Sequence, residues 1–300
     1  MKNKNQIKAY LAWATICIVW GTTYLAIRIG VQDFPPFLFA GFRWIIAGSI
    51  LFTIMKLQGY KAPSKKDIPH IAVVGIALLG VANLFVVIAE QWLPSGLTAL
   101  FITTIPLLIA GMEFISVKNK SWNLQLTGGL ILGFLGVSLI LNNNLGEVFS
   151  SSYYLGIGFL FIAVLSWAAG SVYSKYKKIE THPLMGASIQ MLLAGILQVV
   201  IGVILGEHTE LSFTANGIYS LLYLVVFGSI FGYGSYMYAI SHLPVAFVAT
   251  YAYINPVIAL FVGWFFLGET INFQIILAAV VILFAVWLVN TGSVISKTKV

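Results

Sequence analysis

Residues 93–106 read LPSGLTALFITTIP, and residues 243–256 read LPVAFVATYAYINP. Each stretch begins with Leu-Pro and ends with a second proline at the same spacing, and the two stretches lie 150 positions apart. Nearer the N-terminus, an offset of 147 positions pairs Trp20 with Trp167. The three-residue difference between the offsets fits a loop of different length. The sequence therefore predicts two copies of one structural unit.

The composition around these stretches is that of a membrane protein. Hydrophobic residues make up 60 % of the 300 residues and charged residues only 8 %, whereas about 25 % of a soluble domain is charged. So few charged side chains cannot cover a soluble surface. The composition excludes a soluble enzyme, a disordered chain and a nucleic-acid-binding protein, even though the net charge is +7.

Ten apolar segments are long enough to cross a bilayer as helices, which requires about 20 residues each. A membrane β-barrel would show alternating hydrophobicity over segments of about ten residues, and that pattern is absent. We therefore predict an all-α membrane protein with ten transmembrane helices. The predicted spans cover residues 9–30, 37–56, 69–89, 96–116, 122–141, 155–175, 184–205, 217–240, 245–267 and 271–290.

The lysines indicate the orientation of the spans, because cytoplasmic loops carry an excess of positive charge. If the N-terminus is cytoplasmic, every lysine falls on the inner side. We therefore expect a multi-pass protein of the cytoplasmic membrane, with both termini in the cytoplasm and with lysines that contact the lipid bilayer. The lysines are Lys2, Lys4, Lys8, Lys56, Lys61, Lys65, Lys66, Lys118, Lys120, Lys175, Lys177, Lys178, Lys297 and Lys299.

The two units, residues 1–145 and 146–300, are predicted to be inverted relative to each other. Each unit has five spans, and an odd number of crossings reverses the direction of the chain. The loop charges agree, because the loop after the second span carries Lys65, whereas the matching loop after the seventh span carries Glu207 and Glu210. Inverted repeats are common in secondary transporters, since they supply two nearly equivalent conformations.

The ninth span carries the main family likeness. Residues 252–270 read AYINPVIALFVGWFFLGET, a helix with a central proline followed by Leu-Gly-Glu. Together with the ten spans, the two repeats and Trp20-Gly21 in the first span, this sequence resembles the EamA-type transporters of the drug/metabolite transporter superfamily. The first unit departs from the pattern, because Asn119 stands where the second unit has Glu269. Glu269 is therefore expected to be a helix-end residue without a role in transport.

The resemblance implies a ten-helix carrier for small metabolites, often working as an exporter. Some relatives export amino acids, and others move sugars, nucleotides or nucleobases. Spans one to four and six to nine would surround a central cavity, with spans five and ten at the periphery. The near absence of polar residues inside spans five and ten agrees with that placement.

Polar and aromatic side chains in the middle of the spans are candidates for the substrate pathway, because polar groups in lipid are costly. Arg43 lies about 10 Å below the outer end of its span. Its planar guanidinium could bind a carboxylate, or it could close the outer side by a salt bridge to Asp33 or Glu90. The candidate pathway residues are Trp20, Tyr24, Arg43, Asn83, Thr103, Trp167, Gln190, Tyr233, Tyr251 and Asn255.

The other tryptophans lie nearer the span ends, where interfacial belts collect them. These residues are Trp13, Trp44, Trp92, Trp122, Trp264 and Trp287.

Two prolines are expected to act as hinges. Pro106 and Pro256 each remove a backbone donor inside a span and leave a carbonyl group unpaired. Such freed backbone groups are tolerated at this depth where they line a cavity. We therefore expect both helices to bend at these positions.

The side chains suggest a small substrate that carries a carboxylate, with an amino acid as the first candidate. A channel or facilitator for another solute, such as a nucleobase or a sugar, is the alternative. An intramembrane hydrolase using Ser235 and His242 is disfavoured, because seven helical residues separate them by about 10 Å, beyond hydrogen-bond reach.

The remaining expectations concern cofactors, coupling and assembly. The sequence has no zinc-binding spacing and no phosphate-binding loop, so we expect no metal ion and no cofactor. Acidic residues are absent from the depth of spans six to ten, which gives little support to a proton relay, and facilitated or exchange transport fits at least as well. Pairs of small residues at helix-packing spacing fit contacts within one chain, so a monomer is expected.

Overall fold

The computed structural model describes residues 4–93, 95–116, 123–140, 153–258 and 273–298, most of which are helical. Seven helices in this part of the chain are long and apolar enough to cross a membrane, and shorter apolar helices accompany them. The protein is therefore a helical membrane protein. Its helices are α1 Lys4–Gly30, α2 Pro36–Leu57, α3 Ile68–Ala89, α4 Ser95–Ile102, α5 Ile105–Ser116, α6 Leu124–Ile140, α7 Tyr154–Tyr176, α8 Pro183–Ile204, α9 Ala215–His242, α10 Val245–Ile258 and α11 Phe273–Thr298.

The predicted fourth span, 96–116, is divided into α4 and α5 by a turn at residues 103–104. Pro106 is the second residue of α5, where a missing N–H costs no helical hydrogen bond. In α10 a turn lies at Thr250, six residues before Pro256. The regular helix is therefore interrupted ahead of each proline, and the hinge role of the prolines stays a prediction.

Three residues that support the repeat and the family likeness, Pro94, Asn119 and Glu269, lie outside the described residues. The predicted ninth span, 245–267, is described as far as residue 258. The count of ten spans and the inversion of the two units stay predictions.

The helices pack in a regular set of pairs. α2 lies along α8, α6 lies along α11, α1 packs against α9, and α3 packs against α7. The described residues of α6 and α11 pack on each other and contribute nothing to the central cavity described below.

Glycines allow the backbones of α2 and α8 to approach each other closely. A Cβ atom built on Gly195 of α8 would lie 2.8 Å from the backbone nitrogen of Ile45 and 2.9 Å from the carbonyl oxygen of Gly41. Both neighbours are backbone atoms of α2, which cannot move aside as a flexible side chain would. Even a methyl group at position 195 therefore forces the two helices apart.

The change Gly195→Ala is expected to lower the free energy of unfolding by about 1–3 kcal/mol, the usual cost of overpacking. Gly186→Ala on the same helix is the matched control, because a Cβ atom there would meet nothing within 4 Å. Thermal unfolding of both purified variants in one detergent measures the difference. Equal melting temperatures would contradict the close crossing of α2 and α8.

Two carboxylates connect loops to the beginnings of α2 and α8. Glu207 accepts hydrogen bonds from the backbone N–H groups of Phe37 at 3.2 Å and Leu38 at 2.9 Å. Asp67 accepts from the backbone N–H of Thr181 at 3.1 Å and from its hydroxyl at 2.6 Å. A negative charge near a helix N-terminus is favourable. The hydrogen bonds from Thr181 lower the pKa of Asp67, whereas burial raises the pKa of Glu207.

The lowered pKa of Asp67 predicts a pH-dependent contribution to stability. Because the pKa of Asp67 is lower in the folded protein than in the unfolded chain, its contribution to stability is fully present at pH values above the unfolded-state pKa of about 3.9. The contribution is lost as the pH falls through the pKa of the folded state. We expect Asp67→Asn to lower the melting temperature at neutral pH and to have little effect in strong acid. Thermal unfolding of both proteins across this pH range checks it, and a constant difference would contradict it.

Candidate functional site

A small cavity lies in the middle of the bundle, between α1, α2, α3, α7 and α9, with α4, α5 and α10 completing its wall. Its volume is about 70 Å³, which is room for a few water molecules and well below the roughly 300–1,000 Å³ of ordinary ligand pockets. The cavity in this conformation is therefore too small to hold a metabolite. The predicted pathway residues that line it are Trp20, Tyr24, Arg43, Asn83, Trp167, Tyr233 and Tyr251.

Arg43 supplies the positive charge of this cavity. Its side chain is only 3 % exposed, and its Nε donates a hydrogen bond to Ser229 Oγ at 2.8 Å. One of its other two donor nitrogens, Nη1, is buried without a hydrogen-bond partner in the described part of the chain. The alternative salt bridge is not formed, since Asp33 accepts from the Thr214 hydroxyl and neither oxygen of Glu90 has a partner among the described residues.

Trp44 was expected in an interfacial belt, and that expectation is wrong. Its side chain is 1 % exposed and lines the cavity, and its ring lies 4.3 Å from the Arg43 guanidinium carbon, in cation–π contact. Sequence reasoning also missed Ser229, the hydrogen-bond partner of Arg43. The adjacency of Trp44 to Arg43 in the sequence was the available signal for Trp44, and no comparable signal pointed to Ser229.

The aromatic residues form one continuous wall. The Trp20 ring centre lies 5.5 Å from that of Trp167 and 4.8 Å from that of Tyr251, within the range of favourable ring contacts. Trp20 Nε1 donates to the carbonyl oxygen of Gly228 at 3.0 Å, so the indole is fixed in orientation. Because the Trp20 ring stands nearly perpendicular to the other two, at 76° and 77°, the three rings form an angled, mostly apolar part of the cavity wall that Arg43 also lines.

Asn83 and Tyr233 occupy matching positions in α3 and α9. Each is the last residue of a wide π-helical segment, Ile76–Asn83 in α3 and Leu224–Tyr233 in α9. Such segments occur often at functional sites. The Oδ1 atom of Asn83 is buried without a hydrogen-bond partner among the described residues. The cavity thus contains both an unpaired donor, on Arg43, and an unpaired acceptor.

Gln190 does not line the central cavity. It lines a second, larger cavity of about 620 Å³ at the end of the bundle where α7 ends and α8 begins. The Tyr233 hydroxyl donates to Gln190 Oε1 at 2.7 Å, and Tyr233 faces the central cavity. The Tyr233–Gln190 hydrogen bond therefore lies between the two cavities.

The second cavity, which we call the lysine vestibule, is lined by basic and polar residues that include Lys175, Lys177 and Lys178. Lys175 Nζ donates to the carbonyl oxygens of Ile240 and Leu243 at 2.8 and 2.6 Å, which fixes the end of α9. Burial and the proximity of His242 lower the pKa of His182, another lining residue. The vestibule is therefore a polar and basic approach to the Tyr233–Gln190 bond.

Two other candidate residues lie outside the cavity wall. Thr103 is fully buried in the turn between α4 and α5, and its neighbours Ile102 and Ile105 line the cavity instead. Asn255 is buried where α10 meets α1, and with its amide oriented so that the nitrogen faces them, it donates to the carbonyl oxygens of Tyr251 and Cys17 at 2.9 and 3.0 Å. Asn255 therefore connects two helices that carry cavity residues.

The structure thus defines a helical membrane protein with a small, partly polar cavity at its centre. The family model described as the EamA-like transporter family matches residues 7–142 and 154–291. The chain belongs to this family.

Similar proteins include "Uncharacterized inner membrane transporter YedA" of Escherichia coli (strain K12), which is 34 % identical over 303 residues, covering all of this chain and 96 % of the relative. "Uncharacterized transporter YoaV" of Bacillus subtilis (strain 168) is 26 % identical, with 92 % of this chain and 94 % of the relative covered. A crystal structure of a protein 16 % identical in sequence superposes with a TM-score of 0.78, covering 98 % and 99 % of the two chains, and shows the same fold. These likenesses support a membrane transporter.

Proposed function

We propose that this protein is a secondary transporter that exports a small carboxylate-bearing metabolite, with amino acids as the first candidates, by alternating access. The observation that carries the proposal is the unpaired Nη1 donor of Arg43 in the central cavity. The protein works without a cofactor and as a monomer in the cytoplasmic membrane, with its lysine vestibule and both termini facing the cytoplasm.

The state of Arg43 supports a substrate that carries a carboxylate. A buried charge is costly unless it is paired, and Ser229, the hydrogen-bond partner of Arg43, is neutral. A carboxylate can accept two parallel hydrogen bonds from a guanidinium group, which are stronger than bonds between neutral groups. A substrate carboxylate would therefore supply the missing partner.

The rest of the cavity supports an amphipathic substrate. Asn83 Oδ1 is an unpaired acceptor that suits an ammonium group. The rings of Trp20, Trp167 and Tyr251 suit an apolar side chain or a cation. A carboxylate, an ammonium group and an apolar part together describe an amino acid. A nucleobase or a sugar has no group that matches Arg43 as well.

Alternating access is supported by the pairing of helices and residues across the two proposed units. The offset of 147 relates Arg43 to Gln190, and the offset of 150 relates Asn83 to Tyr233. Tyr233 and Gln190 are hydrogen-bonded, whereas the equivalent Asn83 and Arg43 each keep an unpaired buried atom, one acceptor and one donor. In the opposite conformation Asn83 and Arg43 would bond to each other and Tyr233 and Gln190 would separate. Access to the cavity would then move from one side of the membrane to the other.

The helix contacts fit the same exchange. If each helix is replaced by its counterpart in the other unit, the α2–α8 and α6–α11 contacts stay the same and the α1–α9 contact becomes the α3–α7 contact. All four contacts are present in the structure. Two inverted five-helix units supply two such conformations of similar energy.

The experiment that tests the substrate class is a thermal-shift screen of the purified protein against amino acids, nucleobases and sugars. Because a ligand that binds only the folded protein stabilises it, we expect one or more amino acids to raise the melting temperature. Transport of the hits into proteoliposomes must then saturate with concentration. Stabilisation by nucleobases or sugars alone would contradict the substrate class, and flux that never saturates would identify a channel.

A further inference from the structure

Glu90 is a buried carboxylate outside the wall of the central cavity. It follows the last residue of α3 and is only 4 % exposed. Neither of its carboxylate oxygens has a hydrogen-bond partner among the described residues. The other buried carboxylates in the described part of the chain differ, because Asp67 accepts from Thr181 and Glu113 accepts from Tyr176 at 2.5 Å.

The neighbours of Glu90 connect it both to the surface and to the cavity. Arg28 of α1 is exposed and interacts with Glu90 electrostatically without a hydrogen bond. Tyr24, one turn before Arg28 on α1, and Val86, one turn before Glu90 on α3, line the cavity. The helices packed against this end of α3 carry further titratable or charged groups, namely Arg43 on α2, and Tyr153 and Tyr154 at the beginning of α7. None of these groups forms a hydrogen bond with Glu90.

Burial of Glu90 without a hydrogen-bond partner, with only the exposed Arg28 as a nearby counter-charge, favours the protonated carboxyl group in this conformation. Removing an ionised carboxylate from water costs several kcal/mol, and an uncompensated group neutralises instead. Once this end of the bundle opens, water and Arg28 can stabilise the ionised form. The proton is then released without any other change in covalent structure.

We propose that Glu90 is a proton-binding residue through which this protein exchanges protons for its substrate, an inference that rests on the transporter function proposed above. The central cavity of about 70 Å³ is too small for a metabolite, so the protonated conformation is the one that crosses without substrate. The proton therefore crosses the membrane in the step that alternates with substrate transfer. It moves in the direction opposite to that of the substrate. Each cycle binds one proton to Glu90 from the outer side and releases it to the inner side through the central cavity, whose wall includes Val86, one turn before Glu90 on α3.

The coupling is tested in proteoliposomes with an acidic interior, using a mixture of radiolabelled L-amino acids as the probe. We expect the wild type to accumulate label against its gradient and a protonophore to abolish the accumulation. Glu90→Gln, which mimics the protonated acid, is expected to keep amino acid exchange but to lose accumulation driven by the pH gradient. Glu113→Gln is the matched control, because Glu113 is buried but already has a partner, and it should keep the accumulation.

Two outcomes separate this inference from the proposed function. Exchange by the wild type with full pH-driven accumulation by Glu90→Gln would overturn the role of Glu90 and leave the transporter intact. Absence of any exchange by the wild type would overturn the proposed function.

A second measurement needs no substrate. The infrared C=O stretching band of a protonated carboxylic acid should be present in the wild type at neutral pH and weaker in Glu90→Gln. Identical bands in the two proteins would overturn the assignment of the proton to Glu90.

Discussion

Replacing Arg43 with alanine is expected to abolish transport of carboxylate-bearing substrates. The change removes the charged group of the cavity and leaves a substrate carboxylate without its partner in a buried site. Losing one member of such a pair costs about 2–5 kcal/mol, which corresponds to substrate affinity lower by about 30-fold or more. Binding measured by thermal shift, and transport measured in proteoliposomes, should both decrease.

Two variants define what the Arg43→Ala result means. Arg43→Lys keeps the charge but lacks the planar fork, so its affinity is expected to fall between those of the wild type and the alanine variant. Lys56→Ala on the same helix removes an exposed positive charge and should transport normally. Unchanged transport by a well-folded Arg43→Ala variant would remove Arg43 from the substrate site.

Cross-linking α8 to α9 at the Tyr233–Gln190 bond is expected to stop transport completely. The bond lies between the central cavity and the lysine vestibule, so substrate can pass only when the two side chains separate. Tyr233→Cys and Gln190→Cys are combined with Cys17→Ser, which removes the single native cysteine. A reducible bifunctional thiol reagent should reduce transport to the level of protein-free liposomes.

The cross-link has internal controls. Reduction of the reagent should restore transport, and each single-cysteine variant should remain active after the same treatment. Mass spectrometry of the intact chain shows whether the link has formed within one molecule. Normal transport by a fully cross-linked protein would contradict the assignment of this bond as a barrier.

Several elements of the site could be predicted from the sequence because they depend on depth in the membrane. Arg43, Trp20 and Trp167 stood out as residues that lipid does not tolerate well, and all three line the cavity. The likeness to the EamA family depended on the pattern of spans and prolines, and the family match confirms it.

The remaining features depend on the rotation of each helix about its axis, which depth alone does not determine. Trp44 lies one residue deeper in α2 than Arg43 and points inward, where its ring contacts Arg43 and Tyr233. Asn255 lies at the right depth, but its side chain bonds to backbone carbonyls between α1 and α10. The π-helical segments change the rotation further, and no local sequence signal announced them. The protonation of Glu90 could not be predicted from the sequence, because it depends on the side chains that surround Glu90 in the fold.

Counterflow is the measurement that tests the central claim most directly. Proteoliposomes are loaded with an unlabelled amino acid identified in the screen and diluted into a trace of the labelled compound. We predict that label rises above its equilibrium level and then decays for the wild type, and that Arg43→Ala shows no such overshoot. Wild-type flux that never overshoots and grows in proportion to concentration would contradict a carrier that alternates around Arg43.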